Sequence, residues 1–238
     1  MRSVGVEGRR TSRQQLEATF SAEKAAQDGL LSTRLYRRVS FAVTPWFEAA
    51  GFSANAVSGL AIGCALLLPP VAWLAGSWDY LGVALLCFCY LVLDCVDGNL
   101  ARLGGSSGPR GQYLDSLAGK LYALTRTVAL GLIAAREWPS LEPGAVLSLA
   151  IFGALLFVWG RESRQYYKIT AGVAPNHFVA GSGRLKDLAL GFTELVPPGL
   201  LVLGPFGLAW LVFLGVVVFY VALFVYTQVR IFRALTRS

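Results

Sequence analysis

Apolar runs long enough to cross a bilayer recur along this chain, and they constrain its fold more than any other feature. They fall at about 54–76, 80–100, 112–134, 144–159, 188–203 and 206–229. About 20 apolar residues in a helix span the hydrocarbon core of a membrane. The expected fold class is therefore all-α, a polytopic membrane protein with six transmembrane helices. Composition agrees: 55% of the 238 residues are hydrophobic and only 15% charged. Soluble domains average about 45–50% and about 25%. A water-soluble globule and a disordered chain are both excluded. Six Trp, nine Tyr and 14 Phe exclude a low-complexity linker. Cys64, Cys87, Cys89 and Cys95 all lie in apolar runs, match no zinc or redox spacing, and read as small buried hydrophobes.

Residues 1–52 are more polar and form a unit apart from the membrane domain at 53–238. Arg9-Arg10 is not followed by an apolar segment within the next twenty residues, so no cleaved signal is expected. Residues 34–48 mix arginines and aromatics with apolar positions. They read as an interfacial helix, with Trp46 and the arginines at headgroup level. Pro69-Pro70 and Pro197-Pro198 fall inside expected spans and read as kinks. There is no internal repeat, which argues against an inverted-repeat transporter.

The net charge is +7, and its placement decides what it means. Of the 21 Lys and Arg, all but Lys120, Arg126 and Arg136 fall in the N-terminal tail, the 101–111 and 160–187 loops, or the C-terminal end. Basic residues gathered on alternate loops mark the cytoplasmic face and attract anionic lipid. The reading is a multi-pass protein of the cell (inner) membrane with both termini and the active site cytoplasmic. Membrane lipids, and no nucleic acid, are the expected partners of the charge.

Three of the 14 acids, Asp94, Asp97 and Asp115, sit inside spans or at their margins, where a carboxylate is costly. On a helix Asp94, Asp97, Gly98 and Ala101 share one face, within an arc of about 100°. Carboxylates one turn apart repel unless a cation lies between them. Oxygen donors without histidine suit a hard ion, Mg²⁺ or Mn²⁺. Gly98 and Ala101 leave room for a ligand beside the helix, and Arg102 offers a fork for phosphate. The glycine-rich stretch 104–111 leads to Asp115 and lacks the Lys-Ser/Thr ending of a nucleotide P-loop. A cation transporter would need acids distributed along a path, and these three lie at one face.

The run Asp94-Cys95-Val96-Asp97-Gly98-Asn99-Leu100-Ala101-Arg102, then eight residues to Gly111 and three more to Asp115, resembles the signature of the CDP-alcohol phosphotransferases. That pattern is D-x2-D-G-x2-A-R, about eight residues, G-x3-D-x3-D. The entry to the first span, through Asn55 and Ser58, is similar to the family's Pro-Asn-x-Val/Leu-Thr, with Ala54 in place of Pro. The resemblance implies six spans preceded by a surface helix. It also implies transfer of a phosphate-linked group from a CDP-linked donor, such as CDP-diacylglycerol, to an alcohol or polyol-phosphate acceptor, releasing CMP. It makes Asp94, Asp97 and Asp115 ligands of Mg²⁺ or Mn²⁺. It gives Asp94, Gly98, Ala101, Arg102 and Gly111 to the CDP part. The last aspartate of the pattern, the family's proposed general base, is Gly119 here, so no catalytic base is assigned. A catalytically silent homologue that keeps the pocket is the alternative.

Arg161, Arg164, Lys168 and Arg184, with Lys186, are candidate contacts for an anionic acceptor or phosphate, on a loop. Glu162 reads as a solvated loop acid that could otherwise serve as a base. His177 has no ligand partner in view. Lys120 and Arg126 lie within the third span and need partners or a route to the surface. Gly59 and Gly63 form a small-xxx-small face, and a homodimer is expected.

Overall fold

The computed structural model describes residues 16, 20, 31–104, 108–138, 140–172 and 192–236. Among them there is no strand. A π-turn at Ser32–Tyr36 leads into α1 (Arg37–Ala49), followed by α2 (Ala54–Leu74), α3 (Asp79–Leu103), α4 (Pro109–Glu137), α5 (Pro143–Thr170), α6 (Val196–Leu203) and α7 (Ala209–Leu235). Helices α2, α3, α4, α5 and α7 are long and apolar enough to cross a membrane, and a shorter apolar segment, Phe192–Phe206, contains α6. The all-α polytopic fold, with a helix ahead of the spans, is the one the apolar runs call for.

Local chemistry sets the helix ends. The backbone N–H of Ala56 donates to Ser53 Oγ at 3.2 Å, capping α2. Glu142 does the same for α5, accepting from the Ala145 N–H at 2.8 Å. Pro109, Pro143 and the Pro197-Pro198 pair occupy first turns, where a missing N–H costs nothing. Pro197-Pro198 therefore starts a helix instead of kinking one, whereas Pro69-Pro70 lies within α2, which runs on to Leu74. Gly76 at φ +57° and Gly207 at φ +67° make the turns into α3 and α7, in a backbone region that favours glycine.

The fourth span departs from expectation. Its apolar run ends at residue 159 and implies a basic loop beyond, but α5 continues to Thr170. Past Gly160 the residues Arg161-Glu162-Ser163-Arg164-Gln165 include no breaker and several good helix formers. Arg161, Glu162, Arg164 and Lys168 thus stand on a helix. The fifth run, read as 188–203, is described from Phe192 as a short turn followed by α6. Arg184, Lys186 and His177 lie outside the described residues.

The core lies between α2, α3, α4, α5 and α7, with Leu68, Val83, Leu130, Ile133, Phe213 and Tyr220 fully buried. Helix α4 is the most enclosed of the long helices. It meets α5 closely: a Cβ on Gly131 would stand 2.7 Å from that of Ala150. The outer face stays apolar, with Leu66, Trp73, Leu85, Phe152 and Val218 exposed, as a lipid-facing surface requires. Cys87 and Cys95 are buried, Cys64 is half-buried, and Cys89 is exposed; all four are free.

Several charged groups within the spans find partners, although the Arg126 Nε and the Tyr122 hydroxyl are buried without a hydrogen bond. Arg126, 1% exposed, donates to the Tyr220 hydroxyl and to the Thr193 carbonyl at 3.2 Å, and lies 4.6 Å over the Tyr122 ring. Asp79, the first residue of α3, is buried and pairs with Arg136 at 2.8 Å. Lys120 pairs with Glu162 across α4 and α5. On α1, Ser40, Phe41 and Thr44 are buried while Trp46 is exposed. Arg34 and Arg38 are also exposed, but Arg37 is buried, so one of the expected headgroup arginines faces inward.

Candidate functional site

The C-terminal half of α3 carries Asp94, Asp97, Gly98, Ala101 and Arg102. Asp97 is buried, and its Oδ2 accepts from Ser58 Oγ, on α2, at 2.7 Å. A hydroxyl donor stabilises a carboxylate that burial would otherwise penalise. Asp94 is half-buried and Asp115 exposed. The charge of Asp115, on α4, reaches Asp97, as does that of Arg102. The charges of Asp94, Asp97 and Asp115 all reach Tyr90, whose ring stacks on Tyr122 of α4 at 3.7 Å. The start of α2, the end of α3 and the start of α4 therefore share one end of the bundle.

The glycines of the motif mark close approaches there. A Cβ on Gly111 would lie 3.6 Å from Asn55 Oδ1, tying α4 to the first turn of α2. A Cβ on Gly98 would lie 3.7 Å from a terminal nitrogen of Arg102, so the guanidinium folds back along α3 over this glycine. The Arg102 guanidinium also donates to Asn99 Oδ1 at 2.6 Å. One turn after Asp115, a Cβ on Gly119 would meet an Arg161 guanidinium nitrogen at 3.1 Å. A positive charge from α5 thus stands where a side chain at 119 would begin.

As they stand, no three His, Cys, Asp or Glu side chains among the described residues are grouped closely enough to hold a metal ion. The donor chemistry of Asp94, Asp97 and Asp115 nevertheless fits a hard cation: three carboxylates on two neighbouring helices, with no nitrogen or sulfur donor among them. Glu162, considered above as a base, is engaged with Lys120. Arg164 Nε donates weakly to the Gly160 carbonyl at 3.4 Å. Arg161, Arg164 and Lys168 follow one another along α5, each within range of its neighbour's charge.

Several members of this arrangement are not evident from spacing alone. Ser58 stands out in the sequence only as part of the helix entry, and Arg161 only as a loop cation. The signal for Asn99 is a strongly polar residue inside an apolar run, and Ser40 and Thr44 are spaced one helical turn apart on α1.

The fold is that of a multi-pass helical membrane protein with an acidic site at one end of the bundle. The profile of the CDP-alcohol phosphatidyltransferases matches residues 52–181, which take in α2 to α5 and the whole acidic motif. The chain belongs to the CDP-alcohol phosphatidyltransferase family. Its members are membrane transferases of phospholipid synthesis that generally use divalent metal ions. No curated protein matches the chain significantly.

Proposed function

We propose that this chain moves a phosphate-linked group, phosphatidyl in the first instance, from a CDP-activated donor such as CDP-diacylglycerol to an alcohol acceptor, with CMP as the product. The observation that carries the reading is the buried Asp97, held by Ser58 within range of the charges of Asp115 and Arg102, in the segment the family profile covers. Asp94, Asp97 and Asp115 would hold Mg²⁺ or Mn²⁺. The bound ion would neutralise the diphosphate and the charge left on CMP. Gly98, Ala101 and Gly111 leave space for the nucleotide, and Arg102 forks onto its phosphates.

In the transfer, the acceptor oxygen bonds to the phosphorus, the bond to CMP breaks, and the acceptor's proton must be taken up. Position 119 supplies no proton acceptor, and the nearest group to it is the Arg161 guanidinium. That fixed charge suits an acceptor that already bears a phosphate, which itself can take the proton. Arg164, Lys168 and Arg184 extend the same electropositive character. On this reading the acceptor is a polyol phosphate and the site opens to the cytoplasm of the inner membrane. A second copy packs against the Gly59–Gly63 face, where added Cβ atoms would meet nothing within 4 Å.

A catalytically silent homologue is the second reading, and Gly119 facing Arg161 is what favours it. The discriminating experiment uses protein in lipid nanodiscs with Mn²⁺ and CDP-diacylglycerol, following CMP release with phosphorylated and unphosphorylated polyols. Release that requires a phosphorylated acceptor supports the transferase reading. Nucleotide binding without release for any acceptor installs the silent one.

A further inference from the structure

Asn99 is completely buried at the junction of α1 and α3, and its amide is committed on both sides. Its Nδ2 donates to Ser40 Oγ at 3.1 Å and to Thr44 Oγ1 at 2.9 Å. Its Oδ1 accepts from Arg102 at 2.6 Å. The two hydroxyls leave the amide no choice of orientation. Ser40 Oγ spends its only proton on the Arg37 carbonyl at 2.9 Å, and Thr44 Oγ1 spends its own on the Ser40 carbonyl at 2.7 Å. Both therefore present only lone pairs to Asn99 and can be met only by the NH₂ group. The carbonyl oxygen is turned toward Arg102, three residues on and therefore on a neighbouring position of the same helix.

We infer that Asn99 is a positioning residue: through it, helix α1 holds the Arg102 guanidinium over Gly98, in the orientation in which it receives the phosphates of the CDP-linked ligand. The inference rests on the assignment of Arg102 to those phosphates. An arginine side chain free in solvent loses much rotamer freedom when it binds, and one already held by a carbonyl loses less. Binding at this site then depends on α1, an element outside the span bundle, which reaches Asn99 through two hydroxyls.

The test measures CDP affinity in the presence of Mn²⁺ for full-length protein in nanodiscs, comparing Asn99→Leu, Ser40→Ala/Thr44→Val, Arg102→Ala and Asn99→Leu/Arg102→Ala. The Ser40→Ala/Thr44→Val protein leaves α3 intact and removes the hold from the α1 side, so it carries the test if Asn99→Leu fails to fold. Asn99→Leu and Ser40→Ala/Thr44→Val should each weaken CDP binding by about tenfold, the scale of one lost charge-assisted hydrogen bond. In the Arg102→Ala background Asn99→Leu should add nothing, because a residue that acts through another has no effect once that other is gone. A merely structural Asn99 would add its full loss in that background, which overturns the inference. Unchanged affinity in Asn99→Leu, alongside a clear loss in Arg102→Ala, also overturns it while leaving the role of Arg102 intact. Unchanged affinity in Arg102→Ala removes that role and the inference together.

Discussion

Single residues divide the acidic site into groups held by protein and groups left for a ligand. Asp97 has a buried hydroxyl donor in Ser58, whereas Asp115 is exposed. Carboxylates gathered at the edge of a membrane domain gain from a divalent ion more than they gain from each other. Millimolar Mn²⁺ or Mg²⁺ should therefore raise the melting temperature of the protein in detergent, and Asp97→Asn should abolish the rise. An unchanged melting temperature in the wild type would remove the metal assignment. At Gly119 the neighbouring guanidinium shapes the outcome. A Cβ there presses only on the far end of a flexible side chain, so Gly119→Asp should fold. A positioned base is worth about 10²–10⁴-fold. Part of that would be lost because the new carboxylate also pairs with Arg161. The expected result is a kcat for CMP release higher by at least about tenfold, with a higher KM for a phosphorylated acceptor. A variant slower on both counts would mean that glycine is needed as space.

At the level of helices, buried polar side chains do the joining that apolar contacts cannot do selectively in lipid. Arg126 on α4 reaches Tyr220 on α7 and the carbonyl of Thr193 in the turn before α6, so one side chain connects three elements. Tyr220→Phe keeps the ring and deletes the partner, leaving a buried guanidinium N–H unmet. The loss should be about 1–2 kcal/mol, read as a melting temperature lower by a few degrees. A shift within error would show that the hydroxyl is dispensable to the joint. Lys120 and Glu162 make a similar link between α4 and α5, but both are partly exposed, and Glu162→Ala should alter stability by less than about 1 kcal/mol.

For the whole molecule the decisive property is its sidedness. The turn between α2 and α3 contains no lysine or arginine, whereas the ends of α5 and α7 that lie across the bundle are basic. In a cysteine-free background, Ser77→Cys should react with an impermeant reagent added to intact cells, and Thr236→Cys should react only after permeabilisation. Both positions lie at helix ends and neither belongs to the site. Labelling of Thr236→Cys from outside would invert the orientation and carry the acidic site to the other compartment.

What the sequence determined by itself is the class of fold and the ingredients of the site. Membrane crossing depends on the length and continuity of apolar runs, and the Asp94–Arg102 motif is local, its members held on one face by helical period alone. The sequence also marked Lys120 and Arg126 as charges in need of partners. Tertiary structure alone decided what those partners are, because Glu162, Tyr220 and Thr193 come from other elements. It likewise decided that Arg161 is a helical residue facing Gly119 and that Asn99 bridges α1 to Arg102. Contacts between residues far apart in the chain depend on how helices cross and rotate against one another. That geometry is set by packing at positions such as Gly131 and Ala150, where a single methyl group fixes how near two helices can come.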